Sequence, residues 1–385
     1  MRSIGVVTVG RSDYGLYRPI LKEVSARAGL HLHLIVAGAH LEPSLGHTVD
    51  EIERDGFSIA ERIHMLAPGD GPQAIAASMA TGIAAFAESY HRSRPDILLL
   101  LGDRFEMHSA GLAALPFKIP VAHIHGGELT IGAIDDALRH SLTKLSHLHF
   151  VSTNDHARRV RQLGEEPWRI TISGAPGLDN LKNIPLLDST AFEERFGFPL
   201  NPAPILVTYH PETLEYESLD LQIEELFAAL DVFEEPILFS LPNADTGNQK
   251  IRTAIEKFIR RRCQTCLLQN MGTQGYFSAM NAALCMVGNS SSGIIEASSF
   301  RLPVVNIGRR QEGRTRALNV IDVPMSRNLI IQAIMQSTSS DFRDSLSNLI
   351  NPYGDGQASI RIVDRLASES IDSRLLIKQF FDLTV

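Results

Sequence analysis

Residues 96–150, DILLLLGDRFEMHSAGLAALPFKIPVAHIHGGELTIGAIDDALRHSLTKLSHLHF, decide the fold. The run at 97–101 is short and apolar, and it stops at Gly102-Asp103-Arg104. A buried parallel strand behaves this way when it feeds a loop and then a helix. A second such strand opens at 120–123 and ends in His125-Gly126-Gly127-Glu128. An acidic loop, Gly132-Ala133-Ile134-Asp135-Asp136, then leads into a helix carrying Arg139 and His140. In open α/β sheets ligands sit beyond the carboxyl ends of the strands. The charged residues of this stretch gather at such ends, which makes it a candidate active site.

Working outward, residues 4–9 form a buried-type strand ending in Gly10-Arg11-Ser12-Asp13-Tyr14-Gly15, with a helix expected from about 17 to 28. A strand at 31–37, an Ala-rich helix at 78–93 and a further strand-to-helix step from 149 continue the alternation. Strands alternating with helices mean βαβ units and a parallel sheet. The stretch 174–204, rich in Pro, Gly, Asn and Leu, reads as a linker. Beyond it the logic repeats. Strands at 205–208, 237–240, 284–287 and 304–307 end at His210, at Asn243, at Gly288-Asn289-Ser290-Ser291-Ser292-Gly293 and at Arg309-Arg310. The expected fold is α/β, with two Rossmann-like domains of parallel sheet facing across a cleft. The first spans 1–173 and the second 205–358, and a helical tail at 359–385 packs back on the first.

A chain of 385 residues exceeds one ordinary core, so two domains are expected. Its 44 acidic and 36 basic residues disfavour a nucleic-acid binder that relies on bulk charge, while leaving room for a local basic cleft. No apolar run reaches the roughly 18–20 residues of a membrane span. The amino terminus already reads as a strand and lacks the features of a secretion signal. Cys263 and Cys266 form a lone CxxC, short of the four ligands of a structural zinc site. With Cys285 they make an odd, sparse set that suggests a reducing, cytoplasmic compartment.

GNSSSG between a strand and a helix favours a phosphate, because hydroxyls and free backbone amides converge there. An ordinary Ser N-cap with a Gly turn is the competing reading. Arg310 and Arg314 from the next loop, and Arg11 from the first, add weight to phosphate. Glu296, on the first turns after the serines, is placed to accept ribose hydroxyls or is simply a solvated carboxylate. Asp103, Glu128, Asp135 and Asp136 are acids on adjacent loops. With separated pKa values they can take and give protons in elimination and addition. N-capping accounts for one or two of them at most. His125 and His210 are candidate acid/base or phosphate-contacting groups. The pairs His31/His33, His123/His125 and His147/His149 each share a strand face. They recur on unrelated strands, so no metal is expected.

GRSDYG, GDRFEM, HIHGGELTIGAIDDALRHSLTKLSHLHF, GAPGLD, YHPET, PNAD, GNSSSGIIEA and NIGRRQEGR occur here in order between Arg11 and Arg314. In this the chain resembles the hydrolysing UDP-N-acetylglucosamine 2-epimerases, and within them the branch that makes mannosamine-type precursors of sialic and legionaminic acids. The resemblance implies a GT-B-like fold, a homodimer, and neither metal nor nicotinamide cofactor. It also implies elimination of UDP through a 2-acetamidoglycal, followed by addition of water with inversion at carbon 2. Carried over by motif, Arg11, Arg104, His210, Asn243, Ser290, Ser291 and Glu296 hold UDP, with Arg310 near the diphosphate. Asp103, Asp135 and Asp136 match acids implicated in proton transfer. Animal relatives carry HIEGGE where this chain has HIHGGE, so either His125 serves as the acid/base, or Glu128 takes that role, or the two share it.

Two substrates compete, UDP-N-acetylglucosamine, favoured as the commoner donor, and as the alternative UDP-N,N'-diacetylbacillosamine, which differs at carbons 4 and 6. Arg18, Tyr17, Met107 and His108 are candidates to line the discriminating pocket. A glycosyltransferase of the same fold is the reading from another class. It needs an acceptor site and has no use for four acids around the sugar.

Overall fold

The computed structural model describes residues 1–43, 46–69, 71–130, 134–211, 219–240 and 248–383. The chain divides into two compact units, one of Met1–Asn180 with Tyr353–Val385, the other of Leu181–Pro352.

The first unit is built on β1 (Arg2–Thr8), β2 (Leu30–Ala37), β3 (Ile59–Ile63), β4 (Ile97–Leu101), β5 (Val121–Ile124), β6 (Leu148–Val151) and β7 (Ile170–Ile172). They lie in the order β3-β2-β1-β4-β5-β6-β7, with every neighbouring pair parallel. β4, β5 and β6 are buried along their whole length, β4 as a continuous apolar run and β5 and β6 as runs interrupted by one buried histidine each, His123 and His149. The chain leaves β1 for β2 on one side and comes back to β4 on the other. That reversal places the loops after β1 and β4 side by side at a topological switch point.

The second unit repeats the plan with β8 (Ile205–Thr208), β9 (Ile237–Ser240), β10 (Thr265–Leu268), β11 (Cys285–Gly288), β12 (Val304–Ile307) and β13 (Val320–Val323). The order β10-β9-β8-β11-β12-β13 puts its switch point between β8 and β11. Gly288 lies opposite Thr208 in that pairing and has φ +140°; a Cβ there would run into the Thr208 carbonyl oxygen. Only glycine permits this approach.

Helix boundaries depart from expectation where polar side chains serve the backbone. The first helix runs Arg11–Ala26, starting earlier than the apolar pattern predicts. Asp13 reaches back to accept the Val9 N–H at 2.9 Å and the Thr8 hydroxyl at 2.7 Å, so a stretch that reads as loop is the helix's first turn. The Ala-rich helix is Pro72–Arg92, entered through Pro72 at its first position. The helix Ala358–Ser368 belongs to the first unit. Its first amides, from Ala358 and Ser359, are capped by the Asp179 carboxylate at 2.9 and 2.6 Å.

Candidate active site

In the first unit the loops after β4 and β5 and the start of the helix Ile134–Leu145 bring the predicted acids into one polar cluster. Asp103 follows β4. The helix after it, Phe105–Ala114, is capped at Arg104 with no side-chain bond, so Asp103 is not spent on capping. Its carboxylate instead takes an ion pair from buried Arg139 on the helix Ile134–Leu145. Thr130 joins two of the acids, its hydroxyl donating to Asp103 at 3.4 Å and its backbone N–H to Asp136 at 2.7 Å. His140 Nε2 is 3.4 Å from the other Asp136 oxygen, one turn along the same helix. Asp135 acts on Asp103 and on Arg104 through its charge. Arg104 is held by two bonds to fully buried Glu106, at 2.8 and 3.2 Å. Arg11 is an exposed residue opening the first helix, 4.0 Å from Glu51.

The loop after β5 is shaped by backbone geometry. His125 has φ +67° and Gly127 φ +79°. For the histidine that conformation costs about 1 kcal/mol. A Cβ on Gly127 would strike the His156 carbonyl, so the loop lies directly on the helix Asn154–Gln162. This turn sets His125 Nδ1 2.5 Å from Glu128 Oε1. Ser152, at the end of β6, donates to the same oxygen at 3.2 Å, and His156 Nδ1 stands 3.9 Å from it. His125 Nε2 and two Arg139 nitrogens, Nε and Nη1, are buried with no hydrogen-bond partner among the described residues.

Two of the carboxylates in this cluster, Asp103 and Glu128, are driven apart electrostatically. Burial raises the Asp103 pKa against the opposing pull of Arg139, and the charges of Asp135 and Glu128 push it further up. Burial also works against ionised Glu128, but His125, His156 and Arg139 outweigh it and hold the carboxyl well below its usual range. Two acids with separated proton affinities suit a reaction that both removes and delivers protons.

The second unit carries the other candidates at its own switch point. Asn289 locks the two strand ends together, accepting the His210 N–H at 2.7 Å and donating to the His210 carbonyl at 2.9 Å. Its own carbonyl accepts from Arg310 at 3.1 Å and from Gln311 at 2.8 Å. Ser290 N-caps the short helix Ser291–Ile295 through the Ser292 N–H, so the capping reading holds for that residue in this structure. Ser291 is the first residue of that helix. Glu296 falls in the break between it and the turn Ala297–Phe300. Burial pushes the Glu296 carboxyl up to about 7, against the charge of Arg314, and leaves its Oε2 without a partner among the described residues. Burial, then the charge of Arg310, lowers His210 to about 4, so its ring is neutral at physiological pH. Asn243 lies outside the described residues.

Several neighbours were not foreseen. Ser152 is marked only by its place just past β6, Thr130 sits in the loop after β5, and His156 lies on the helix Asn154–Gln162. Tyr276, on the helix Gly272–Ala282, comes within 3.3 Å of Thr208 and interacts with Ser290 and Ser292. Of the expected pocket-lining residues, Tyr17 and Met107 are core residues with no exposed surface, and Arg18 is engaged by Asp55 at 2.6 Å. Of the paired histidines, His123, His125, His147 and His149 have backbone or carboxylate partners, whereas the buried Nε2 of His33 has no hydrogen-bond partner among the described residues. His123 bonds the Gly102 carbonyl at 2.7 Å, His147 accepts the Val121 N–H at 3.2 Å and His149 meets Glu165 at 2.8 Å. Among the described residues no group of three or more His, Cys, Asp or Glu could hold a metal ion, and no helix is long and apolar enough to cross a membrane.

A family model described as UDP-N-acetylglucosamine 2-epimerase matches residues 22–367. The GDP/UDP-N,N'-diacetylbacillosamine 2-epimerase (hydrolyzing) of Campylobacter jejuni is 37% identical over 385 residues, covering 99% of each chain. The UDP-N,N'-diacetylbacillosamine 2-epimerase (hydrolyzing) of Legionella pneumophila is 37% identical over 382 residues, covering 98% of this chain and 99% of the relative. Among solved structures, the UDP-GlcNAc 2-epimerase of Neisseria meningitidis bound to UDP-GlcNAc superposes with a TM-score of 0.78 at 19% identity, over 96% of this chain and 100% of that one. A likeness at that identity speaks to the fold, and the pair of parallel-sheet domains agrees with it. With a family model over most of its length and full-length relatives at 37% identity, the chain belongs to the UDP-N-acetylglucosamine 2-epimerase family.

Proposed function

We propose that the protein is a hydrolysing 2-epimerase of UDP-N,N'-diacetylbacillosamine, releasing UDP and the free 2-epimeric sugar. Two full-length relatives at 37% identity carry that activity in their names, which is why this substrate is placed ahead of UDP-N-acetylglucosamine. The observation that carries the reaction type is the set of carboxylates with opposed pKa shifts at the ends of β4 and β5.

In the elimination step the proton at carbon 2 is removed. Its electron pair forms the double bond to carbon 1, and the bond from carbon 1 to the diphosphate oxygen breaks with its pair on UDP. In the addition step water supplies a hydroxyl to carbon 1, and carbon 2 receives a proton on the opposite face. Asp103, Asp135, Asp136 and the His125–Glu128 pair are the groups placed to move these protons. Asp103, raised by burial, and Glu128, held low by its cationic neighbours, differ in proton affinity within the same cluster. Arg11, Arg104, His210, Asn243, Ser290, Ser291 and Arg310 are proposed to hold UDP, with Glu296 on the ribose. Neutral His210 beside Arg310 suits hydrogen bonding to phosphate without added charge repulsion. A homodimer and a cytoplasmic location belong to the same proposal.

The test is UDP release from each nucleotide sugar without any acceptor. A higher kcat/KM for UDP-N,N'-diacetylbacillosamine supports the reading. A preference for UDP-N-acetylglucosamine replaces the substrate, and release only when an acceptor is added favours a transferase.

A further inference from the structure

We propose that His125 is the base that removes the carbon 2 proton, through Nε2, and that Glu128 and Ser152 are positioning residues acting on its other nitrogen. This rests on the proposed epimerase reading and divides labour inside its acid–base cluster.

Four observations carry it. His125 Nδ1 and Glu128 Oε1 are 2.5 Å apart, and Ser152 lies 3.3 Å from the ring nitrogen and 3.2 Å from the carboxylate oxygen. The ring is placed by a positive φ at His125, a conformation that non-glycine residues rarely adopt without a local reason. Glu128 is occupied on its ring-facing oxygen, with Ser152 donating there and His156 3.9 Å away, so it is committed as an acceptor. His125 Nε2 is buried and has no partner among the described residues.

These contacts dictate the tautomer. An ionised carboxylate can only accept, so Nδ1 carries the hydrogen and the lone pair is left on Nε2. A neutral imidazole so oriented is a base. Charged and titratable groups face the pair from several elements: Arg139 on the helix Ile134–Leu145, His156 on the helix Asn154–Gln162, Asp103 after β4 and His123 on β5. Their charges reach Glu128 or the ring, yet the hydrogen-bond partners of Nδ1 among the described residues are Glu128 and Ser152 alone. In the step itself, the proton at carbon 2 passes to Nε2 and the C–H electron pair becomes the carbon 1–carbon 2 double bond. The carbon 1–oxygen bond breaks with its pair on UDP, and the imidazolium later returns its proton to water.

The decisive comparison is Glu128→Ala against Glu128→Gln, in the full-length enzyme with UDP binding as the folding control. Alanine leaves Ser152 to accept from Nδ1 and keeps the lone pair on Nε2, so kcat falls about a hundredfold. Glutamine turns its amide N–H groups toward Nδ1 and reverses the tautomer, so kcat falls about ten-thousandfold, as a wrong tautomer does in related dyads. Ser152→Ala on the alanine background costs more than it does in wild type, since Nδ1 then has no acceptor. His125→Gln abolishes deuterium incorporation at carbon 2.

Alanine and glutamine variants equal within about threefold would make Glu128 the direct proton carrier and overturn the assignment. Incorporation persisting in His125→Gln would do the same. A strongly deshielded imidazole N–H proton in the NMR spectrum of the wild-type protein, lost in Glu128→Ala, reads the pair without turnover. Its absence in wild type refutes the pairing. Its presence alongside no UDP release from either nucleotide sugar refutes the epimerase reading and leaves the geometry standing.

Discussion

Glu165 offers a prediction whose size follows from its surroundings. It has no exposed surface, and its carboxylate meets Lys144 at 2.6 Å, Lys378 at 2.8 Å and His149 at 2.8 Å. Burial opposes its ionisation, but His149, Lys378 and Lys144 together bring the carboxyl from 4.5 down to about 2. At 1.36 kcal/mol per unit, that difference corresponds to about 3 kcal/mol of stability at neutral pH. Removing one partner of a buried ion pair costs a similar amount, about 3–5 kcal/mol. A depressed folded-state pKa places this stability above pH 4.5, and it is lost as pH falls from there towards 2. The structural consequence is local. Lys378 also donates to the Lys144 and Ser146 carbonyls at 2.8 and 2.6 Å, and buried Arg169 donates to the carbonyls of Arg374, Leu375 and Ile377. These bonds hold the carboxyl-terminal segment against the layer that supports β6, whose end carries Ser152. Glu165→Gln is therefore expected to speed amide exchange of residues 373–381 about a hundredfold at neutral pH. Hydrogen exchange read by mass spectrometry measures it, and the gap from wild type should close as pH is lowered through 4.5. Exchange of that segment within about threefold of wild type at neutral pH would refute the reasoning.

Three further expectations concern the sites. Asp103→Asn should cut kcat by about a thousandfold while leaving the UDP dissociation constant within about threefold, measured by coupled UDP release and by titration calorimetry. Ser290→Ala combined with Arg310→Ala should weaken UDP binding at least tenfold, roughly the loss of one charge-assisted hydrogen bond; an unchanged dissociation constant removes the phosphate assignment. Glu296, pushed up to about 7 by burial, is partly protonated near neutral pH. Ribose hydroxyls favour its ionised form, so UDP binding near pH 7 should release a fraction of a proton, seen as a buffer-dependent enthalpy that Glu296→Gln abolishes. Because the folded-state value is raised, wild-type stability should also decline as pH rises from about 4.5 to about 7, and the glutamine variant should not share that slope.

The central strands were legible because they are buried on both faces. β4, β8, β9, β11 and β12 read as largely apolar runs, β5 and β6 do so apart from one histidine each, and the candidate residues were read off the ends of such strands. The strands the sequence did not reveal, β3, β7, β10 and β13, are edge or near-edge strands whose residues are largely half-buried. Their polarity is mixed, so neither a continuous run nor a clean alternation survives. Asp103 and Glu128 stood out as charges at strand ends, but what distinguishes them, Arg139 for one and His125 with His156 for the other, is set by tertiary placement. Thr130, Ser152 and Tyr276 carry no local pattern that separates them from other loop and helix polar residues. Tyr17 and Met107 illustrate the converse, since proximity in sequence to the motifs suggested a pocket and packing placed them in the core.

The most direct test of the account is a proton NMR time course in heavy water with UDP-N,N'-diacetylbacillosamine and no acceptor. Elimination and addition predict UDP release together with a free manno-configured sugar bearing deuterium at carbon 2. A released sugar that keeps the gluco configuration and its carbon 2 proton would show plain hydrolysis and contradict the central claim.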